Sequence, residues 1–199
     1  VSSNGQTKAK YNIANPDDYL TLVKKGFYLN DYEPKDLVEL DSEYVAPTCD
    51  HPQLRKVAAE ALVKMIKDAK KEGMYLLLNS GYRSYEEQEK IYQETEQKYG
   101  GAYAAEYVAT PGASEHQTGL GIDMTSQSVV DKQRVVENCA KYGFIVRFTE
   151  GTDGITGISH EPWHLRYVGK KVAKEIKDQN WTLEEYCLYK NVIPKFKKD

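Results

Sequence analysis

Residues 74–101 read MYLLLNSGYRSYEEQEKIYQETEQKYGG and join two kinds of element across one tight junction. Met74 to Leu78 is a short apolar run suited to a buried strand. NSGYRS, with Gly81 inside it, is turn chemistry. Ser84 and Glu87 then stand at the spacing of a capping box, where each side chain accepts the other residue's backbone N–H. A helix is therefore predicted to run to about Tyr99 and stop at Gly100 and Gly101. A strand-to-helix junction of this kind presents Tyr82 and Arg83 at the end of a sheet.

Upstream, Leu54, Val57, Ala58, Ala61, Leu62, Met65 and Ala69 recur at helical spacing between His51 and Gly73, and Gly73 supplies a stop. Earlier still, YLTLV at 19–23 and LVEL at 37–40 read as extended chain packed on the domain. Residues 1–11 are polar, small and without periodicity. The segment 1–18 is accordingly expected to be a tether, and 19–199 a single domain.

Downstream, ATPGASEHQTG at 109–119 reads as a loop feeding a short strand, LGIDM at 120–124. Residues 131–142 have helical character with Val135, Val136, Cys139 and Ala140 inward. FIVRF at 144–148 reads as a strand, a turn passes through Asp153 and Gly154, and WHLRYV at 163–168 returns as another. Thr182 and Glu185 open a last helix by the same capping logic. Helices and short antiparallel strands alternate without repeats, which is an α+β pattern with a small sheet flanked by helices.

Composition narrows the function. The chain has 199 residues, 40% apolar and 29% charged, with 27 Lys and Arg against 30 Asp and Glu. A net charge of -3 gives no global attraction for nucleic acid or anionic lipid, so neither is an expected partner. No apolar run approaches the roughly 20 residues of a membrane helix. The three cysteines, Cys49, Cys139 and Cys187, include no CxxC pair and read as structural thiols.

Histidine is rare, with four in the chain, and three lie beside acidic residues: SEH ending at His116, and His160 and His164 in HEPWH. A catalytic zinc site needs three N or O ligands from a rigid frame and an open position. His116, Asp123 and His164 meet that need if the loop and strand bring them together. Gly119 and Gly121 would allow the close backbone approach. Alone, the His116 to Asp123 spacing would describe a surface histidine and a turn aspartate, so the second cluster decides. His160 and His164 mimic a helical i, i+4 zinc pair, but Pro162 disfavours helix at Glu161. The segment is therefore read as extended, with His164 alone as ligand and Glu161 free to act as a general base on water. Arg83 would bind a substrate carboxylate or an oxyanion. Tyr82 and Trp163 are candidates to wall a pocket.

Three segments together, SGYRSYEEQ (80–88), SEHQTGLGID (114–123) and GISHEPWHLRYVG (157–169), resemble the VanY-type metallo-carboxypeptidases. These are bacterial D-alanyl-D-alanine and L,D-carboxypeptidases that trim peptidoglycan stem peptides. The resemblance runs over roughly residues 19–170, and SxHxxGxxxD with EPWH are joint signatures of one zinc site. It implies a small α+β domain around a central antiparallel sheet, shared with hedgehog and lysostaphin relatives. It also implies one Zn2+ on His116, Asp123 and His164, Glu161 as base, Arg83 at the scissile region, and Gln88, Ser114 and Trp163 lining the substrate pocket. A peptidoglycan stem peptide is the expected substrate, cleaved at D-Ala-D-Ala or L-Lys-D-Ala by a monomer. The alternative is a zinc-containing binding module of hedgehog-like fold, for which Glu161 and Arg83 would have no use. A cell-wall substrate implies action outside the cytoplasmic membrane, with an anchor preceding Val1. The position before the base, an aromatic in the family pattern, is His160 here. Residues 179–199 lie outside the resemblance and read as a capping helix with a basic end.

Overall fold

Apolar side chains at alternating positions build the centre of the molecule. The computed structural model describes residues 11–126 and 128–198. In chain order the strands are β1 (Tyr11–Asn12), β2 (Phe27–Tyr28), β3 (Leu37–Glu39), β4 (Gln53–Arg55), β5 (Leu76–Ser80), β6 (Gly121–Ser126), β7 (Phe144–Phe148) and β8 (Glu161–Tyr167). The helices are α1 (Lys56–Lys71), α2 (Tyr85–Tyr99), α3 (Gly101–Tyr107), α4 (Val129–Asn138), α5 (Asp153–Thr156), α6 (Lys170–Gln179) and α7 (Leu183–Tyr189). Strands β5, β6, β8 and β7 form, in that order, an antiparallel four-stranded sheet, and β1–β2 and β3–β4 are small two-stranded pairs. The α+β reading with a small antiparallel sheet is what the chain adopts.

One face of the sheet meets α1. Leu54, Leu62, Leu78, Leu120, Ile122, Phe144 and Leu165 are completely buried together there, with Met65, Ile66 and Ala69 from the helix. A second cluster joins Ala173 and Ile176 of α6 to Leu183, Tyr186 and Cys187 of α7. Both predicted capping boxes form: Ser84 Oγ accepts from Glu87 N while Glu87 accepts from Ser84 N, and Thr182 and Glu185 do the same.

Several elements differ from the sequence reading. The first strand of the sheet begins at Leu76, because Met74 is still bonded to Ala69 at the helix end. The turn expected at Asp153 and Gly154 is the short helix α5, and α3 and α6 are additional helices. Val136, expected inward, is exposed, while Val135, Cys139 and Ala140 are buried as expected. The α4 helix ends at Asn138 and gives way to a tighter 3-10 turn, which changes the face that follows. All three cysteines are free thiols. Of the expected tether, residues 1–10 lie outside the described residues. From Tyr11 onward the segment is bonded into the domain, through Tyr11 N to Gly26 O, Ala14 N to Lys195 O and the buried Ile13.

Candidate metal and catalytic site

The site is assembled by strand register. In the antiparallel pairing of β6 with β8, Asp123 stands directly opposite His164, so both side chains leave the same face. Asp123 Oδ1 lies 2.9 Å from His164 Nδ1. His116 comes from the 3-10 turn Glu115–Thr118 that precedes β6, where Ser114 Oγ accepts the His116 backbone N–H. That turn ends at Gly119 in the left-handed region (φ 66°) and then runs close beneath β6. A Cβ on Gly121 would lie 2.9 Å from the Glu115 Cβ and 3.0 Å from its carbonyl, so only glycine admits this approach. One ligand atom each from His116, Asp123 and His164 lie within 4.8 Å of one another.

Each imidazole is oriented by a bond on its far side. A carbonyl can only accept, so His116 donates its Nδ1–H to Gly81 O (2.8 Å) and turns Nε2 toward Asp123 Oδ2, 3.4 Å away. His164 donates Nε2–H to Glu115 Oε2 (3.2 Å), leaving Nδ1 toward Asp123. Burial by itself raises the Asp123 pKa, but hydrogen bonds and charge from the two histidines more than reverse this and hold it below the usual carboxylate range. Burial would lower His164, yet its bonds to Asp123 and Glu115 push it up to about 9. His164 Nδ1 and Asp123 Oδ1 thus face one another within the cluster. Two imidazole nitrogens, each ring oriented by an outer partner, and one carboxylate fit a borderline divalent ion such as zinc.

Glu115 is a site residue that the sequence reading missed. It is 4% exposed and lies between two guanidiniums: Arg147 Nε donates to Oε1 at 2.7 Å and Arg166 Nη1 to the same oxygen at 2.8 Å. Burial raises its pKa, but the charges of Arg147 and Arg166 reverse the effect and keep Glu115 ionised. The available signal was an arginine inside each apolar strand, FIVRF and WHLRYV. A buried arginine requires a buried carboxylate, and Glu115 adjoins a ligand.

Arg83 follows β5 at the strand-to-helix junction. Its Nη2 donates to Ser80 Oγ (3.1 Å) and its Nη1 to Gln88 Oε1 (3.0 Å), and Ser80 pairs across the sheet with Asp123. Burial lowers the Arg83 pKa, partly offset by the charge of Asp123. Gln88, 3% exposed, spends its Nε2 on Ala109 O, so it holds Arg83 in place. Ser114 likewise uses its oxygen as the cap that orients His116. Between the pairings Val146 with Leu165 and Phe148 with Glu161, β8 carries extra residues, and this bulge re-aims Glu161 and Trp163. Glu161 is half-buried, and burial raises its pKa. Negative charge on Asp123 and Glu115 adds to that rise, while His164 lowers it. Trp163 is 44% exposed beside it. His160 is exposed and outside the ligand cluster, in keeping with the extended HEPWH segment. Tyr82 is buried and faces a separate cavity of about 280 Å³ with Tyr32, His51 and Tyr85, none of them a candidate ligand.

The chain is similar to known proteins over most of its length. Residues 51–170 match the VanY family model, described as D-alanyl-D-alanine carboxypeptidase. The Bacillus subtilis protein YodJ is 46% identical over 187 residues, 87% of this chain and 68% of that protein. The bifunctional D-Ala-D-Ala dipeptidase and carboxypeptidase VanXYC of Enterococcus gallinarum is 35% identical over 85% of this chain and 94% of its own. Among solved structures, the LdcB LD-carboxypeptidase superposes with a TM-score of 0.80 at 42% identity, covering 94% of this chain and 91% of that one. The D,D-pentapeptidase VanY in complex with Zn(II) superposes with a TM-score of 0.73 at 31% identity, over 84% and 98%. With a family model that spans more than half of it and relatives at these identities over most of its length, the chain belongs to the VanY D-alanyl-D-alanine carboxypeptidase family.

Proposed function

We propose that this chain is a zinc carboxypeptidase that removes a C-terminal D-alanine from peptidoglycan stem peptides, at a D-Ala-D-Ala or an L-Lys-D-Ala bond. The observation that carries the reading is the convergence of His116, Asp123 and His164, with both imidazoles oriented from behind. Solved relatives include VanY with Zn(II), VanYB with D-alanine-D-alanine and the LD-carboxypeptidase LdcB, which support the metal and the peptide class.

Zinc, when bound, supplies a Lewis acid that acidifies water and polarises a carbonyl. The chain's own residues do the rest. Glu161 takes the proton of the attacking water on a carboxylate oxygen and delivers it to the leaving amine of D-alanine. Its half-buried setting raises its proton affinity toward what that exchange requires. Arg83 uses two of its N–H donors on Ser80 and Gln88. A guanidinium has about five such donors, so others remain for the carbonyl oxygen as charge develops or for the terminal carboxylate. Trp163, exposed on the strand between Glu161 and His164, walls the substrate side.

A non-catalytic zinc module would leave a half-buried Glu161 and a half-buried, braced Arg83 without work. Because the substrate is in the cell wall, the enzyme acts outside the cytoplasmic membrane. Among the described residues no helix is long and apolar enough to cross a membrane. The test is elemental analysis for zinc together with release of D-alanine from defined tetra- and pentapeptide muropeptides. Zinc at one per chain with release from either peptide is expected. Zinc-replete protein that releases D-alanine from neither overturns the enzymatic reading.

A further inference from the structure

Behind the site, a chain of ion pairs extends past the residues that match the family model. Glu184, on α7, takes both terminal nitrogens of Arg147, with Nη1 to Oε2 at 2.9 Å and Nη2 to Oε1 at 2.8 Å. The Arg147 side chain is completely buried, and its third donor, Nε, goes to Glu115 Oε1. Glu115 divides its two oxygens: Oε1 receives Arg147 and Arg166, and Oε2 receives the His164 imidazole. Lys24 closes the outer end by donating to Glu184 Oε1 (3.2 Å) and Ile155 O (2.7 Å).

From this connectivity we infer that Glu184 is a positioning residue of the metal site, acting through Arg147 and Glu115 on the ring of His164. The inference rests on the reading of His164 as a zinc ligand. A buried guanidinium needs its charge paired and its donors accepted. While Glu184 holds both terminal nitrogens, Arg147 offers Glu115 one N–H, and Oε2 stays free for His164. Without the Glu184 charge, Glu115 is the carboxylate that remains bonded to Arg147 among the described residues, and the terminal nitrogens turn to it. They then compete for Oε2, and His164 loses the acceptor that fixes its ring and leaves Nδ1 facing Asp123. Outer partners of metal-bound histidines tune affinity in this way. The C-terminal helix, which could be taken for a passive cap, is thereby part of the zinc site.

The experiment is a zinc-affinity titration by chelator competition on the full chain. The parent, Glu184→Gln, Glu115→Gln, their double variant, His164→Ala and Leu183→Ala are compared, each with its melting temperature. Leu183, completely buried on the same helix, reports what merely loosening α7 does. Glu115→Gln is expected to weaken zinc about 10- to 100-fold. Glu184→Gln is expected to weaken it on the order of 10-fold, and the double variant by little more than Glu115→Gln alone. Leu183→Ala should melt earlier with affinity unchanged. Parent-like affinity in Glu184→Gln, additive loss in the double variant, or an equal loss in Leu183→Ala overturns the inference. If His164→Ala binds zinc as tightly as the parent, the underlying site reading fails instead. Should Glu184→Gln not fold, Glu184→Asp, which keeps the charge but shortens the reach, takes its place. It is expected to weaken zinc severalfold, and parent-like affinity there counts against the inference.

Discussion

The two groups assigned to the reaction differ in what surrounds them, and each substitution therefore has its own signature. Glu161 touches none of the outer bonds that orient the ligands. Glu161→Gln keeps its size and hydrogen bonding but cannot accept a proton, so zinc content should be unchanged. D-alanine release should fall by about a thousandfold or more. Elemental analysis beside a single-turnover assay checks both halves. Arg83 is braced by Ser80 and Gln88 and does not point a donor at the metal cluster's ligand atoms. Arg83→Ala is expected to slow turnover on the order of a hundredfold while the bound zinc stays, since only charge stabilisation on the substrate is lost. Equal kcat/KM for parent and variant on a stem peptide would remove Arg83 from the mechanism.

At the level of elements, the site depends on register and close packing. A one-residue slip of β6 against β8 would turn Asp123 to the opposite face and destroy the cluster. Gly121 guards that register, because its backbone lies against Glu115 with no room for a methyl group. Gly121→Ala should cost about 1–3 kcal/mol of stability from overpacking, read by chemical denaturation. Helix α1 is tied to the turn after α4 through Asp68, which accepts from Lys64, Lys71 and Tyr142. Those bonds hold the Asp68 carboxyl at about 2, below its ordinary 3.8. A depressed pKa stabilises the fold above the unfolded value, and the contribution disappears as pH falls through the folded one. The melting-temperature gap between parent and Asp68→Asn should therefore be present at neutral pH and close between about pH 4 and pH 2.

For the whole molecule, both ends of the described chain converge on Glu115. Arg166, which pairs with it, also donates to the carbonyls of Tyr19 and Thr21, and Glu184 braces Arg147 from the C-terminal helix. On the proposed ligand set, metal binding is expected to be coupled to the fold beyond its three ligands. A ligand held by the native state alone at about a thousand times its Kd stabilises by roughly 4 kcal/mol. For a chain of this size that corresponds to a melting shift on the order of 10 °C. Chelation should lower the melting temperature by that order and abolish D-alanine release, and added zinc should restore both. A chelated protein that melts with the untreated one would show that the metal is not linked to folding.

Local chemistry made much of this protein legible in its sequence. The capping boxes at Ser84 and Thr182, the stop glycines after α1 and α2, and the extension imposed by Pro162 depend on neighbours a few residues away. Sequence therefore determined the strand-to-helix junction that carries Arg83, the α+β class, and the separation of His164 from His160. The set His116, Asp123 and His164 could also be proposed, because histidines are rare here and cluster with acidic residues in SEH and HEPWH. Only the tertiary structure decided that Asp123 and His164 are opposite partners in a ladder, since register is a property of two strands and of neither alone. It also decided that Gln88 and Ser114 brace other site residues, that Val136 faces solvent, and that Glu115 is a buried anion. Buried charges are set by partners distant in sequence: Arg147, Arg166 and Glu184 approach Glu115 only after β7, β8 and α7 have packed. Spacing cannot express that convergence, because each pair is made by the fold and not by the chain between its members.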